Sequence, residues 1–356
     1  MHFCIIDMSK LAVHLVTWNN ARFIAPLFAS LQAQTFTDWT LRILDNNSQD
    51  STVCEIKKQM NNFSVQYGLE EKKENYGFAG GHNHLFHGAE EEYILLLNPD
   101  IFLTPECLST LIHFLDTHSD TAAVAPRLMK WDIYAVSSAF TNTVDSLGLK
   151  VFRNHRVVDW GTGQAWDKWQ TIHSECTEPA IEVFGISGAL PLFRREALFS
   201  VLDERHNIFD STYGSYKEDV DLAYRLRARG LSTWVCLQAV AYHARTAAGP
   251  SQLDDRSAGD THKKLSSWVR YQSYKNHLLT LYKNEYWQNF LLDFPFILWY
   301  ELKKFVWCLC VDRPTLFAGW KAIWSGRRTT RNSRRFLTKQ RTVRWSAMRK
   351  WWRSDN

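Results

Sequence analysis

Short apolar runs alternate with stretches of helical spacing through the first third of the chain, and this alternation restricts the fold more than any other feature. Ala12–Trp18 reads as a strand, Phe23–Gln34 as a helix, and Leu41–Asp45 as a strand ending in Asp-Asn-Asn-Ser. Ser51–Asn62 reads as a helix capped by Ser48 or Asp50, Val65–Leu69 as a third strand, and Tyr93–Leu97 as the fourth and most apolar. Thr104-Pro105 opens a helix to about His118, with Thr as cap and Pro in the first turn. Such alternation implies a mostly parallel sheet covered by helices, with ligands at the carboxyl ends of the strands. Asp45, Asn75–Asn83 and Asn98–Asp100 are expected along that edge.

The second half is less regular. Trp131–Pro179 reads as long surface excursions beside an acceptor site, and Phe184–Arg194 is apolar again. Glu218–Arg229 is expected to be a helix stopped by Gly230, Thr233–His243 to hold one or two short strands, and Lys263–Lys283 to be helical. Tyr286–Val311 is rich in Trp, Phe and Leu but is interrupted by Asp293, Pro295, Glu301, Lys303 and Lys304. A spanning helix wants about 20 mostly apolar residues, so this segment fits a helix lying in a membrane interface, or a buried helix pair, better than a span.

Charge separates the end of the chain from its body. Gly326–Asn356 holds eleven Lys/Arg and one acid, a net +10, against +5 for all 356 residues, so the remainder is near −5. Arg-Thr-Val-Arg-Trp-Ser-Ala-Met-Arg-Lys-Trp-Trp-Arg (341–353) interleaves cations with Trp, a surface-seeking composition that suggests an anionic membrane. Single-strand nucleic acid is the competing partner for such a tail. The seven cysteines are odd in number and include no CxxC pair, which points to a reducing compartment. The start, Met-His-Phe-Cys-Ile-Ile-Asp, does not read as a signal peptide.

Four constellations carry candidate chemistry. Asn98-Pro99-Asp100 follows the most apolar strand; alone it is a common turn, but a carboxylate there is placed to meet a ligand. Asn75-Tyr-Gly-Phe-Ala-Gly-Gly-His-Asn83 lets the backbone approach a nucleotide, with a helix expected from Gly80 or Gly81. Glu218, Asp219 and Asp221 crowd the first turn of a helix, where acids suit the macrodipole and one could act as a general base. Leu222 and Leu226 would face the core. Tyr242-His243 gains interest only beside Asp100.

Taken in order, Val-Thr-Trp-Asn (16–19), Asp-Asn-Asn-Ser (45–48), the 75–83 motif, Leu-Asn-Pro-Asp (97–100), Glu-Asp-Val-Asp-Leu (218–222) and Tyr-His (242–243) resemble the family 2 glycosyltransferases. The rhamnosyltransferase-like branch is the most similar. The resemblance spans about residues 10–250 and more weakly extends to 285. It implies an α/β GT-A fold over 1–250 and a helical extension over 251–285, to which composition adds a membrane-associating tail over 286–356. It further implies inverting transfer of a sugar, L-rhamnose by the branch, from a dTDP- or UDP-sugar to a glycan or lipid-linked glycan acceptor in cell-surface glycan synthesis. The implied location is cytoplasmic, peripheral on the inner face of the cell membrane, with no nucleic acid as partner.

Residue by residue, the resemblance implies that Thr17, Asn19, Asp45, Asn46, Asn75, Gly77, Phe78, Asn83 and Asn98 bind the donor. Asp45 would pair with the pyrimidine, and Gly77 and Asn83 would hold the nucleoside. Asp100 and His243 would serve Mg2+ or Mn2+, and Asp219 would be the base, with Glu218 beside it and Asp221 as second choice. Two departures stand out: Asn98 replaces the first acid of the family's Asp-x-Asp, and Ala244-Arg245 replaces a second His, so Arg245 would meet phosphate instead. Trp268–Asn284, with Arg270, Lys275 and Asn276, is similar to the branch's basic helix. A nucleotidyltransferase would want a basic Gly-rich stretch after the first strand, where Asn19-Asn20-Ala21-Arg22 stands instead.

Overall fold

A computed structural model describes residues 9–134, 140–173, 179–245 and 265–352. The amino-terminal half is β1 (Leu11–Thr17), α1 (Ala21–Gln32), β2 (Trp39–Asp45), α2 (Thr52–Met60), β3 (Tyr67–Glu71), α3 (Gly77–His87) and β4 (Tyr93–Leu97), then β5 (Ile101–Leu103) and α4 (Cys107–Thr117). It continues through β6 (Thr121–Trp131), β7 (Phe140–Ser146), β8 (Leu149–Val151), β9 (Val157–Asp159), α5 (Trp166–Ile172), β10 (Ala180–Glu182), β11 (Leu192–Arg194) and α6 (Arg195–Phe199). After α7 (Glu218–Ala228) and β12 (Ser232–His243) come the helices α8 (Ser267–Asn284), α9 (Trp287–Val311), α10 (Arg313–Gln340) and α11 (Trp345–Met348).

The ten-stranded sheet runs β10-β12-β6-β11-β4-β1-β2-β3, with β5 on β12 and β7 on β6. β1 pairs parallel with β2 and β4, β2 with β3, and β6 with β12, while β11 lies antiparallel between β4 and β6. Side chains alternate along β1: Leu11, Val13 and Leu15 pack into a core with Ile24, Leu27 and Phe28 of α1 and Leu111 of α4, whereas Ala12 joins Ala79, Phe86, Leu222 and Leu226. This period of two buries both sheet faces, so the sheet is the middle layer of three.

Several expectations change. The third strand begins at Tyr67, two residues late, and α3 begins at Gly77, ahead of Gly80. Trp131–Pro179 holds β7, β8, β9 and α5 rather than bare excursions. Thr233–His243 lies within one strand, irregular between Cys236 and Val240. Gly230, at φ +78°, follows α7 as anticipated. The expected helix start at Lys263 and the boundary at 250/251 lie outside the described residues.

The basic tail does not stand apart. Thr342 and Val343 donate their backbone N–H groups to Ala228 O, and Tyr286 Oη donates to Val343 O. Met348 and Trp352 are buried with Leu149, Val151, Phe184 and Tyr224, and Trp352 Nε1 contacts His155 Nε2. The Trp-rich end expected to seek a membrane is thus docked on the sheet domain. Among the described residues no helix is long and apolar enough to cross a membrane. Large exposed apolar side chains gather instead on α9 and the start of α10, among them Trp287, Leu291, Trp299, Phe317, Trp320 and Trp324.

Emptying the Trp352 site leaves a cavity on top of the lost transfer energy. Trp352→Ala is expected to destabilise the chain by about 3–5 kcal/mol in urea unfolding. A change below about 0.5 kcal/mol, the range of ordinary surface substitutions, would show that the tail is not docked in solution.

Candidate active site

The ends of β1 and β2 form the first wall of a cleft. Thr17 Oγ1 donates to Asp45 Oδ1 at 3.0 Å, and Ser48 donates to the same carboxylate through its backbone N (2.8 Å) and its hydroxyl (2.5 Å). Asn19, in the left-handed region at φ 54°, accepts from Gln49 N and donates its own N–H to Ser48 Oγ. Asn46 Nδ2 donates to Gly77 O and its Oδ1 accepts from Tyr76 N, tying the glycine motif to β2. Asn75 Oδ1 in turn accepts from Gly77 N. Gly77 has φ +69°, and a Cβ there would lie 2.7 Å from Gly214 O, so only glycine fits.

Asn83 is placed differently from expectation. It is buried, with Nδ2 donating to Phe209 O (2.8 Å) and Oδ1 accepting from Phe209 N (2.9 Å). Both ends of its amide serve as a backbone clamp, which removes it from the donor-binding set. Phe78 packs on His82 and Phe209 with its ring edge toward Gly188.

The second wall is a chain of alternating charges. Asp100 follows β4, and its Oδ1 lies 3.3 Å from His243 Nε2, because β5 and β12 pair Ile101 with His243. His243 Nδ1 meets Asp145 Oδ2 at 2.9 Å. Arg245 then bridges Asp145 (3.2 Å) and Asp159 (2.8 Å). The Arg245 guanidinium is thus held by two carboxylates. Burial pulls the His243 pKa down, but Asp100 and Asp145 outweigh it and lift it to about 9. Burial likewise works against the charge on Asp145, yet Arg245 and His243 hold its pKa below the usual range. Asp145 and Asp159 were not foreseen. The sequence offers only an acid after valine in each case, Val144-Asp145 and Val157-Val158-Asp159, with Gly148 and Gly161 nearby.

The third wall is the start of α7. Asp219 Oδ2 accepts from Gly188 N (3.2 Å) and Oδ1 from Val220 N (2.8 Å). Burial first, then Asp159, raises its pKa. Glu218 is buried, and burial followed by repulsion from Asp219 raises its pKa well above the ordinary value. Asp221 does not turn to the cleft: Arg225 Nε (3.0 Å), Lys283 Nζ (3.0 Å) and Asn284 Nδ2 (2.7 Å) occupy it. Burial opposes its charge, but Lys283 and Arg225 prevail and hold its pKa at about 2. It is therefore structural, not an alternative base.

Gly188 and Ala189 join the walls, a link sequence reading missed. A Cβ on Gly188 would meet Phe78 Cζ at 3.4 Å and Asp219 Cβ at 3.6 Å, and Asn98 N donates to Ala189 O. The glycine motif, the strand end before Asp100 and the carboxylate of Asp219 therefore converge on one point of the strand edge. A carboxylate with a raised pKa beside a site for a phosphorylated ligand can accept a proton during substitution.

Residues 12–141 match the family described as glycosyl transferase family 2. The chain is 26% identical over 130 residues to the putative glycosyltransferase EpsE of Bacillus subtilis, covering 36% of this chain and 47% of that protein. It is 28% identical over 114 residues to the poly(ribitol-phosphate) beta-N-acetylglucosaminyltransferase TarS of Staphylococcus aureus, covering 31% of this chain and 20% of that one. The matches thus span less than half the length of these curated relatives. The structure of S. aureus TarS 1-349 in complex with UDP-GlcNAc superposes with TM-score 0.54 at 15% identity, over 88% of this chain and 79% of that one. The mannosyltransferase PcManGT from Pyrobaculum calidifontis, in complex with GDP-Man and Mn2+, superposes with TM-score 0.50 at 15% identity, over 98% and 88%. These solved structures share the fold.

Asp145 is one of the two carboxylates that raise the His243 pKa. Asp145→Asn is expected to move the His243 titration, followed by imidazole NMR, downward from about 9 toward 6.5. The native ion pairs stabilise the folded chain fully below pH 6.5 and lose that contribution as pH rises through about 9, so the variant's stability deficit should shrink over that window. An unmoved titration would mean that Asp145 does not face the ring.

Proposed function

We propose that this chain, a member of the family 2 glycosyltransferases with a GT-A fold, moves a sugar from a nucleotide diphosphate to an acceptor hydroxyl, inverting the anomeric carbon. The observation that carries the reading is the convergence of Phe78, the Asn98–Asp100 strand end and Asp219 on Gly188–Ala189. Thr17, Asn19 and Asp45 line a nucleoside pocket, with Asp45 facing a pyrimidine, and Asn46 supports it from behind by clamping Tyr76 and Gly77. Gly77 admits close approach of the donor because it carries no side chain. Asn75, Phe78 and Asn98 complete the donor side.

The acid wall suits a divalent cation, Mg2+ or Mn2+. Asp100 is a hard oxygen ligand, and Asp145 pins His243 at Nδ1 so that Nε2 faces Asp100, the arrangement of a metal-binding imidazole with a carboxylate behind it. Such an ion, when bound, would neutralise charge on the departing diphosphate. PcManGT, crystallised with GDP-Man and Mn2+, supports this assignment by its fold.

Asp219 takes the acceptor proton as the acceptor oxygen forms its bond to the anomeric carbon and the bond to the diphosphate breaks. Its raised pKa brings the base closer to the pH of the reaction. Glu218, buried and harder still to ionise, shapes the turn and does not replace it. TarS, a relative crystallised with UDP-GlcNAc, supports a uridine or thymidine diphosphate donor, and the rhamnosyltransferase-like motifs favour L-rhamnose. The acceptor is a lipid-linked or polysaccharide glycan of the cell surface.

The exposed aromatic faces of α9 and α10, continued by the exposed Lys321, Arg327, Arg328 and Arg331, suit the inner, anionic face of the cell membrane. The burial of Trp352 weakens the nucleic-acid reading, which needed the tail's aromatics exposed for stacking.

Screening nucleotide sugars by diphosphate release, with and without chelator, tests the reaction. Asp219→Asn is expected to lose about 10²–10⁴ in turnover while keeping nucleoside diphosphate affinity by calorimetry. Near-normal turnover would remove Asp219 from the role of base. The full chain should float with phosphatidylserine vesicles at low salt and be partly released by high salt, since each cation near such a surface contributes about 1 kcal/mol. Failure to float would remove the membrane from the proposal.

A further inference from the structure

The helix α8 lies beyond the matched family segment, yet one stripe of it is built into the cleft's support. Gln272, Lys275, Asn276, Thr280, Lys283 and Asn284 fall on one side of the helix at spacings of three and four, and all are buried. The stripe is polar, and it faces the turn that leads into α7. Lys275 Nζ donates to Thr212 O, and Tyr213 Oη shares a hydrogen bond with Thr280 Oγ1.

Asn276 is fully buried at the centre of this contact. Its Nδ2 reaches the carbonyls of Tyr213 (3.0 Å), Ser215 (3.0 Å) and Tyr216 (2.7 Å). The turn it touches is strained: Tyr216 and Lys217 lie at φ 72° and 70°, where side-chain-bearing residues are disfavoured, and Gly214 lies at φ 69°. The far side of the same turn caps the donor helix, with Gly214 O accepting from Ala79 N (3.0 Å) and Ser215 Oγ from Phe78 N (3.2 Å). Two residues after Lys217 stands Asp219.

We infer that Asn276 is a positioning residue: its side-chain amide holds the 213–217 turn in its left-handed shape and thereby sets Phe78 and Asp219 on either side of Gly188. With Tyr216 and Lys217 left-handed, three nearby carbonyls turn toward the same side, that of the buried Asn276. The two hydrogens of one buried amide are shared among them. The inference rests on the glycosyl-transfer reading for the catalytic meaning of Asp219, but not for the shape of the turn.

The test compares the full-length wild type with Asn276→Asp, Asn276→Ser and Arg270→Met. Asn276→Asp keeps the shape of the side chain but sets an acceptor against three carbonyl oxygens. Arg270 lies on the same helix but pairs with Asp312 at 2.6 Å, so it controls for docking of the helix as such. In hydrogen exchange without donor, the amides of residues 78–79 and 214–221 should exchange at least about tenfold faster in Asn276→Asp, less so in Asn276→Ser, and as in wild type in Arg270→Met. With a donor the wild type uses, Asn276→Asp should lose about 10²-fold in kcat. Its nucleoside diphosphate Kd, carried by the Thr17–Asp45 wall, should stay within about threefold of wild type, a split between binding and turnover that general destabilisation would not produce.

Unchanged exchange over 214–221 in folded Asn276→Asp overturns the inference. So does an equal loss of kcat in Arg270→Met. Should Asn276→Asp not fold, Asn276→Ser decides by the same two readouts, and wild-type behaviour there overturns it. A wild type that turns over no nucleotide sugar would count against the proposed reaction alone, since the exchange result stands without it.

Discussion

One buried cation ties the start of α7 and the turn before it to the helices that follow. Lys283 Nζ lies 2.7 Å from Asp210 Oδ2 and 3.0 Å from Asp221 Oδ1, out of reach of solvent. Asp210 caps the short turn before Gly214, and Asp221 belongs to the first turn of α7. The two ends of the strained segment are thus fixed to α8 by the same charge. Removing one partner of such a cluster leaves a buried charge uncompensated, a loss of about 3–5 kcal/mol, so the cluster resists rearrangement. The alignment of Asp219 depends on that resistance.

The acid wall follows the same logic with a different outcome. Asp100, His243, Asp145, Arg245 and Asp159 alternate in sign, and each inner member is flanked by opposite charge. Alternation lets buried groups remain ionised and fixed in orientation before a ligand arrives. Asp219 is treated oppositely: burial and Asp159 raise its pKa, outweighing the Lys217 charge and two backbone N–H groups that favour its ionised form. One short stretch of strand edge therefore offers a carboxylate held as an anion and another prepared to accept a proton, a separation of roles that environment alone produces.

What was legible in the sequence was local. The first strand, within one residue of its Ala12–Trp18 reading, the strands ending at Asp45 and Leu97, and α7 from Glu218 to its stop at Gly230 follow from apolar period and from glycine, which act within a few residues. Asn83 and Asp221 stood in plausible motifs, yet their polar atoms are taken by Phe209 and by Lys283, Arg225 and Asn284. Asp145 was hidden because its partner, His243, is 98 residues away. The polar stripe of α8 gave no core signal, since hydrophobic spacing finds only apolar faces. The docking of the Trp-rich end was hidden for the converse reason: composition reports what a side chain prefers to contact, not where, and Trp352 meets that preference inside the protein.

The sequence by itself determined the α/β layering and which acids, amides and glycines stand at the carboxyl ends of the strands. These depend on side-chain period and on the backbone freedom of single glycines, both local quantities. Tertiary structure decided which acids are ionised, which amides are free, and that α8 and the tail belong to the body that carries the cleft. Those outcomes depend on which distant groups share a water-free volume, because there a charge or an amide takes its character from its neighbours rather than from its own chemistry.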